Sequence, residues 1–315
     1  MKNQKKHLLA VILLSLLVLN INFVLAYSPQ KTTINKTIDK NVNVGLYLLN
    51  LGKFDIATGS FTADFYLSIK CENTCPSQDF EFMNGRASSS EKIIDEPNEK
   101  FYRIQANLVS PIDLKKFPFD KQKMEIIIED KKKTTDELQY VPDLEETGFD
   151  KSIVFVGWDI GQWNVTIREH NYEIYDETYS QYVFEIPISR IIINSIFKTL
   201  LPIIFIILVM LSSFVLDPDK ITTRLAMVGS ALVASVMFHV SLANQLPSVG
   251  YLTFIDKFMV LTYFVILLSF IFNVFLLELH EEKKDELVKK LHRATEFTMF
   301  LLIPLLYLLL FVFFL

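Results

Sequence analysis

An all-β, immunoglobulin-like sandwich followed by an all-α, four-helix membrane domain is the fold that this 315-residue sequence predicts. Three observations predict it. Residues 28–190 alternate apolar and polar side chains in short runs between turn signals, the pattern of half-buried strands. Apolar residues, 51% of the chain, concentrate beyond residue 195 in four stretches. Each stretch meets the length of about 20 residues that a bilayer crossing needs. The second of them, residues 222–247, carries Arg224, Ser230, Ser235, His239, Ser241, Asn244 and Gln245, while residues 203–216 and 258–277 are almost purely apolar. A crossing helix that keeps polar groups turns them toward water or protein, and one polar-faced helix among oilier ones is the pattern of a pore lining.

The elements follow in order. Lys2, Lys5 and Lys6 precede an apolar run at residues 8–19, and Val24-Leu25-Ala26 offers small residues for cleavage. Residues 1–26 therefore read as a secretory signal peptide, with an uncleaved anchor helix as the alternative. Residues 27–190 form the exported domain and residues 191–315 the membrane domain. Strands are expected at residues 42–48, 61–69, 124–128, 153–156, 163–167 and 182–188, and a further one from Phe80. Asn84-Gly85, Glu96-Pro97-Asn98 and Ser110-Pro111 mark turns between them. Many short strands with no helical period between them indicate a sandwich.

Cys71 and Cys75 are the chain's two cysteines. In an exported domain a disulfide is the first expectation, with two free thiols as the alternative. The neighbourhood offers too few further ligands for a metal site, and nothing implies a cofactor.

The four spans are expected at residues 195–216, 221–245, 254–279 and 295–315. The loop before the fourth holds Lys283, Lys284, Lys289, Lys290 and Arg293, which places it on the cytoplasmic side and the sandwich outside. The chain is thereby a multi-pass plasma-membrane protein with its N-terminal domain extracellular or periplasmic, in contact with membrane lipid. A net charge of −5 carries no nucleic-acid signature. There is no G-x-S-x-G, H-E-x-x-H or phosphate-binding Gly-rich loop, and 9 Gly and 5 His leave little material for one, so an enzyme is disfavoured. Four helices of unequal polarity also show no internal repeat of the transporter kind.

Motifs then add a resemblance. Phe117-Pro118-Phe119-Asp120, followed by Gln122, resembles the signature turn of pentameric ligand-gated ion channels, the Cys-loop receptor superfamily. As in prokaryotic members, the two cysteines flanking that turn are missing. Ser110-Pro111-Ile112-Asp113-Leu114 precedes it as in the family. Gly157-Trp158-Asp159-Ile160 resembles the bacterial proton-gated branch. Ile188-Ser189-Arg190, Pro202, Leu246-Pro247, Tyr251 and Ile255-Asp256 follow in family order. The resemblance covers roughly residues 40–315. One departure stands out: the family's excursion after the second strand, with its Trp-x-Pro motif, is about two dozen residues shorter here, so the usual agonist pocket does not carry over whole.

The resemblance implies a homopentamer, an expected ring of five copies. It places Arg224 at the inner end of the pore helix, turned from the lumen, and the pore-facing positions become Ala226, Ser230, Val233, Met237, Val240 and Asn244. Their steps alternate four and three, one stripe on a helix. The alternative is a helix-packing seam, which the polar ends and apolar middle of the stripe argue against. Rings of Val233, Met237 and Val240 form the expected gate, closing by dewetting. His239 falls off the stripe, toward a neighbouring helix. Thr222-Thr223 stand where cation-selective relatives carry a Glu ring, and with Asp217 and Asp219 further inward the balance of permeant inorganic ions favours cations.

Coupling between the domains is implied for Asp55, Asp120 and Arg190, with Pro247 and its flanks receiving the push. The agonist region is the hairpin from Tyr172 through Tyr175 and Tyr179 to Tyr182, an aromatic set suited to a small amine, or else simple packing of tyrosines on a sheet. Glu173, Asp176 and Glu177 leave a proton or a divalent cation as the other stimulus. A non-conducting, membrane-anchored receptor module on the same fold is the rival to a channel.

Overall fold

The computed structural model describes residues 40–52, 54–75 and 79–314. The expected signal peptide, residues 1–26, lies outside the described residues, as does Pro76. Lys40–Leu315 form one compact unit.

Eleven strands are described: β1 (Asn41–Leu51), β2 (Ser60–Lys70), β3 (Phe80–Phe82), β4 (Gly85–Asp95), β5 (Glu99–Val109), β6 (Lys121–Asp130), β7 (Gln139–Pro142), β8 (Gly148–Phe149), β9 (Trp158–Ile160), β10 (Asn164–Tyr172) and β11 (Glu177–Arg190). One sheet runs β4-β5-β2-β1-β7, with β8 also on β1; the other runs β10-β11-β6-β3, with β9 on β11. The pattern of period two decides which side chains meet. Val44, Leu46 and Leu48 of β1, Phe65 and Leu67 of β2 and Ile104 of β5 point inward from the first sheet. Met124, Ile126 and Ile128 of β6 and Tyr182, Phe184 and Ile186 of β11 point inward from the second. The two apolar faces share one core, as in a two-sheet sandwich.

The expected strand at residues 153–156 is a loop. Phe155 is buried in the core and Ile153 packs against it, but Val154 and Val156 are exposed and Gly157 follows at φ +88°, a setting outside the extended backbone of a strand. Strands β4, β5, β7, β8 and β9 were not expected. β4 is an exposed edge whose Ser88, Ser89 and Ser90 show no alternation of burial. Cys71 and Cys75 are joined in a disulfide with Cα atoms 5.3 Å apart. Their backbone N–H groups donate to Asn98 and Pro97 carbonyls, so the clip is pinned to the β4–β5 turn.

Four helices long and apolar enough to cross a membrane follow. They are α1 (Ile192–Val215), α2 (Ile221–Ala243), α3 (Phe254–Glu281) and α4 (Asp285–Phe314). After a first α-helical turn at Ile192–Ser195, α1 has a π-turn at Ile196–Leu200, two residues before Pro202, whose missing N–H and ring disfavour the regular ladder there. α3 starts from a capping box: Thr253 accepts from the Asp256 N–H and the Asp256 carboxylate accepts from the Thr253 N–H. Met210, Val228, Phe258, Ile266 and Ile303 knit the helices together. α4 begins ten positions before the expected residue 295, because residues 285–294 continue the helix as a polar extension. Lys289, Lys290 and Arg293 therefore lie on a helix and not in a loop.

Candidate functional site

The stripe read from the sequence lies on one side of α2. Ala226, Ser230, Val233, Met237, Val240 and Asn244 are all exposed, while Ile221, Arg224, Val228, Ala231, Ser235 and Leu242 are buried against the other helices. Val233 is 60% exposed, Met237 70% and Val240 56%. A seam packed within the subunit would be covered, and this face is not. His239 sits off the stripe: its Nδ1 lies 2.8 Å from the Tyr263 hydroxyl and its Nε2 3.3 Å from Asp256 Oδ1, both on α3.

The junction between sandwich and helices is built on Arg190, the last residue of β11. Its Nε donates to Asp120 Oδ1 at 2.6 Å. Asp120 Oδ2 accepts from Gln122 Nε2 at 2.7 Å, and the Asp120 side chain is fully buried. The guanidinium lies over two rings, 4.8 Å from Phe117 and 4.6 Å from Trp158. Such a charge-assisted bond between aromatic walls fixes direction as well as contact. Asp55 serves its own turn, with Oδ1 accepting from the Ala57 N–H and Oδ2 from the Thr58 hydroxyl, each at 2.9 Å.

The turn bearing Phe117 and Pro118 docks on the start of α3. The Phe254 N–H donates to Lys115 O at 2.8 Å, and the Ile255 N–H to Phe117 O at 3.2 Å. The Tyr251 hydroxyl accepts from the Leu114 N–H at 2.8 Å. Phe119 meets Phe254 of α3 at 5.9 Å and Phe311 of α4 at 6.4 Å. Direct bonding therefore falls at Tyr251–Ile255, a few residues beyond Pro247. Pro247 instead lines a groove of about 830 Å³ with Ser110, Pro111, Glu125 and Val249.

In the outer hairpin the structure pairs two of the three candidate tyrosines. The Tyr172 and Tyr179 rings meet edge to face at 5.5 Å, and His170 lies 4.3 Å from Tyr172. Tyr175 stands 71% exposed at the turn, apart from them, and Tyr182 is buried in the core. The sequence reading missed what anchors this cluster. Glu129 of β6, only 2% exposed, accepts from Tyr172 Oη at 3.0 Å and Gln181 Nε2 at 2.7 Å, and lies 2.9 Å from His170 Nδ1. Burial, then the bond to Glu129, pushes the Tyr172 phenol up to about 12, so it stays a neutral donor near neutral pH. The available signal was an acid on the outward phase of a strand facing a hairpin rich in donors. Among the described residues no cluster of three or more His, Cys, Asp or Glu is arranged to hold a metal ion.

No protein-family model matches the chain. It is 22% identical over 248 residues to the proton-gated ion channel of Gloeobacter violaceus, covering 70% of this chain and 68% of that one. It is 26% identical over 193 residues to the 5-hydroxytryptamine receptor 3B of Homo sapiens, covering 59% of this chain and 43% of the receptor. The chain's homologues are thus Cys-loop pentameric channels, the family that its motifs resemble.

Proposed function

We propose that the chain is the subunit of a gated ion channel, five copies forming a ring in which α2 faces a central pore. The uncovered stripe on α2 carries this reading. Three large apolar side chains and flanking polar ones remain exposed on a helix whose opposite face is fully packed. A five-fold ring turns that stripe inward, where Val233, Met237 and Val240 form narrow apolar constrictions that stop ions until the ring widens. The non-conducting module is the weaker reading, because it gives the stripe and its polar ends nothing to do.

The stimulus is read outside the membrane. The Glu129, His170, Tyr172 and Gln181 cluster suits either of two inputs, a proton or a small amine. A buried carboxylate beside an imidazole and aromatic rings attracts positive charge, whether a proton or an ammonium group brings it. Arg190 and Asp120 then carry movement of β11 to α1, and the Phe119 turn carries it to α3 and α4.

The deciding experiment is ionic current through the purified protein in planar bilayers, with outer pH stepped from neutral to acidic and small amines then added. Current that follows either stimulus supports the channel, and its reversal potential in a salt gradient gives the selectivity. Silence from a verified pentamer under every condition would favour the non-conducting module.

A further inference from the structure

The inner end of α2 holds a buried cation with too few partners. Arg224 is 0% exposed, and its Nε and Nη2 have no hydrogen-bond partner among the described residues. A guanidinium removed from water is costly unless its donors are satisfied. What holds it is sparse. Its Cζ lies 5.4 Å over the Phe214 ring at the end of α1. Its Nη1 lies 3.3 Å from His292 Nδ1 on α4. His292 Nε2 in turn faces Glu296 Oε2 at 4.0 Å.

The chemistry of this contact fixes the state of the ring. Arginine has donors only, so His292 Nδ1 must accept, and the imidazole must be neutral with its hydrogen on Nε2. Protonation at Nδ1 removes the acceptor and sets two cations 3.3 Å apart. The charged groups acting on His292 are Arg224 from α2, Asp217 from the link before it and Glu296 from its own helix. Glu296 and Asp217 attract the protonated ring, so the new charge is drawn from Arg224 toward them.

We propose that His292 is a positioning residue that ties the inner end of the pore helix to α4 while neutral and lets it go when protonated, making the channel sensitive to pH on the cytoplasmic side. Freed from its acceptor, Arg224 turns toward the water of the inner mouth. Positive charge gathers there and opposes cation entry. This inference rests on the channel reading for its current readout and on the topology for which side is inner. It concerns a site at the opposite end of the membrane domain from the outer stimulus.

The test steps inner pH from about 7.5 to about 5.5, a range in which imidazole titrates, at constant outer stimulus. Wild-type cation current is expected to fall by about twofold or more, less at high salt. His292→Gln keeps an acceptor but cannot take up the proton, and should show no inner-pH response while keeping its outer response. His292→Lys should show the low current at every inner pH. A wild-type current indifferent to inner pH, or a response that survives in His292→Gln, overturns the proposal. Hydrogen–deuterium exchange over residues 285–296 at both pH values, with His292→Gln as the reference at each, tests the tie without current. Faster exchange at low pH in the wild type alone supports the release even if the protein proves non-conducting, and equal exchange in the two proteins refutes it.

Discussion

Arg190 and Asp120 are 70 positions apart in the chain, yet Arg190 Nε and Asp120 Oδ1 lie 2.6 Å apart at the point where the sandwich hands over to the first membrane helix. The pair is asymmetric. The carboxylate is fully buried, whereas the guanidinium remains 21% exposed.

Removing the arginine therefore leaves a buried carboxylate that, among the described residues, keeps the side-chain bond from Gln122. Arg190→Ala is expected to weaken the junction by about 3 kcal/mol and to uncouple the stimulus from opening without preventing assembly. The check is the stimulus–response curve of a variant whose assembly is verified by size-exclusion chromatography with mass measurement. A normal curve would exclude the coupling role.

Val233→Ser places a ring of hydroxyls in the expected apolar gate. A wetted constriction conducts at rest, so unstimulated current should rise by about tenfold or more. An unchanged resting current in a correctly assembled variant would remove Val233 from the gate.

The turn holding Asp55 depends on Gly59, which sits at φ +72° with room for no Cβ: one added there would lie 2.1 Å from Ser110 O. The Ser110 N–H donates to Gly59 O at 2.9 Å, so neither backbone can retreat without losing that bond. Gly59→Ala should lower stability by about 2 kcal/mol, measured as a drop in thermal midpoint. An unchanged midpoint would show that the turn relaxes freely.

Stability of the sandwich should depend on pH through Lys70 and Glu146. Burial opposes ionisation of Glu146, but the hydrogen bond from Lys70, then the Ser68 hydroxyl and the charge of Lys70, together outweigh it and hold the carboxyl below its ordinary range. The bond to Glu146 likewise raises Lys70. The lowered acid contributes stability above the ordinary glutamate value of about 4.3, lost as pH falls through its folded value. The raised lysine contributes below about 10.4, lost as pH rises through its own. Thermal melts should thus show Glu146→Gln less stable than wild type between these limits, the two converging in acid. A constant gap down to low pH would assign the loss to packing instead.

How much of this was legible beforehand differs by element. β1, β2, β6 and β11 alternate over most of their length because each has one face on the core, and α2 declares itself by polar groups that an isolated lipid-facing helix would not keep. β4 was invisible because both its faces are exposed, so no period is imposed on Ser88–Ser90. Residues 153–156 read as a strand from composition, but Gly157 and the exposure of two valines make them a loop. The coupling pair was legible only through the motif around Pro118; its ring walls, Phe117 and Trp158, depend on distant strands meeting. Tyr172 and Tyr179 share one outward phase of the hairpin and so lie together, while Tyr175 occupies the turn. Glu129 was missed because its partners Tyr172, His170 and Gln181 come from β10 and β11, so its place on the outward phase of β6 gains meaning only once those strands are paired.

The indole of Trp158, stacked on the Arg190 guanidinium, gives the junction a built-in optical label. The chain has 2 tryptophans, and the other, Trp163, is stacked on Phe184 against the sandwich core, ring centres 5.9 Å apart. Emission from the unmodified protein is therefore divided between an indole at the junction and one on the sandwich core, so if the proposed coupling holds, the stimulus should change the Trp158 contribution with no dye attached.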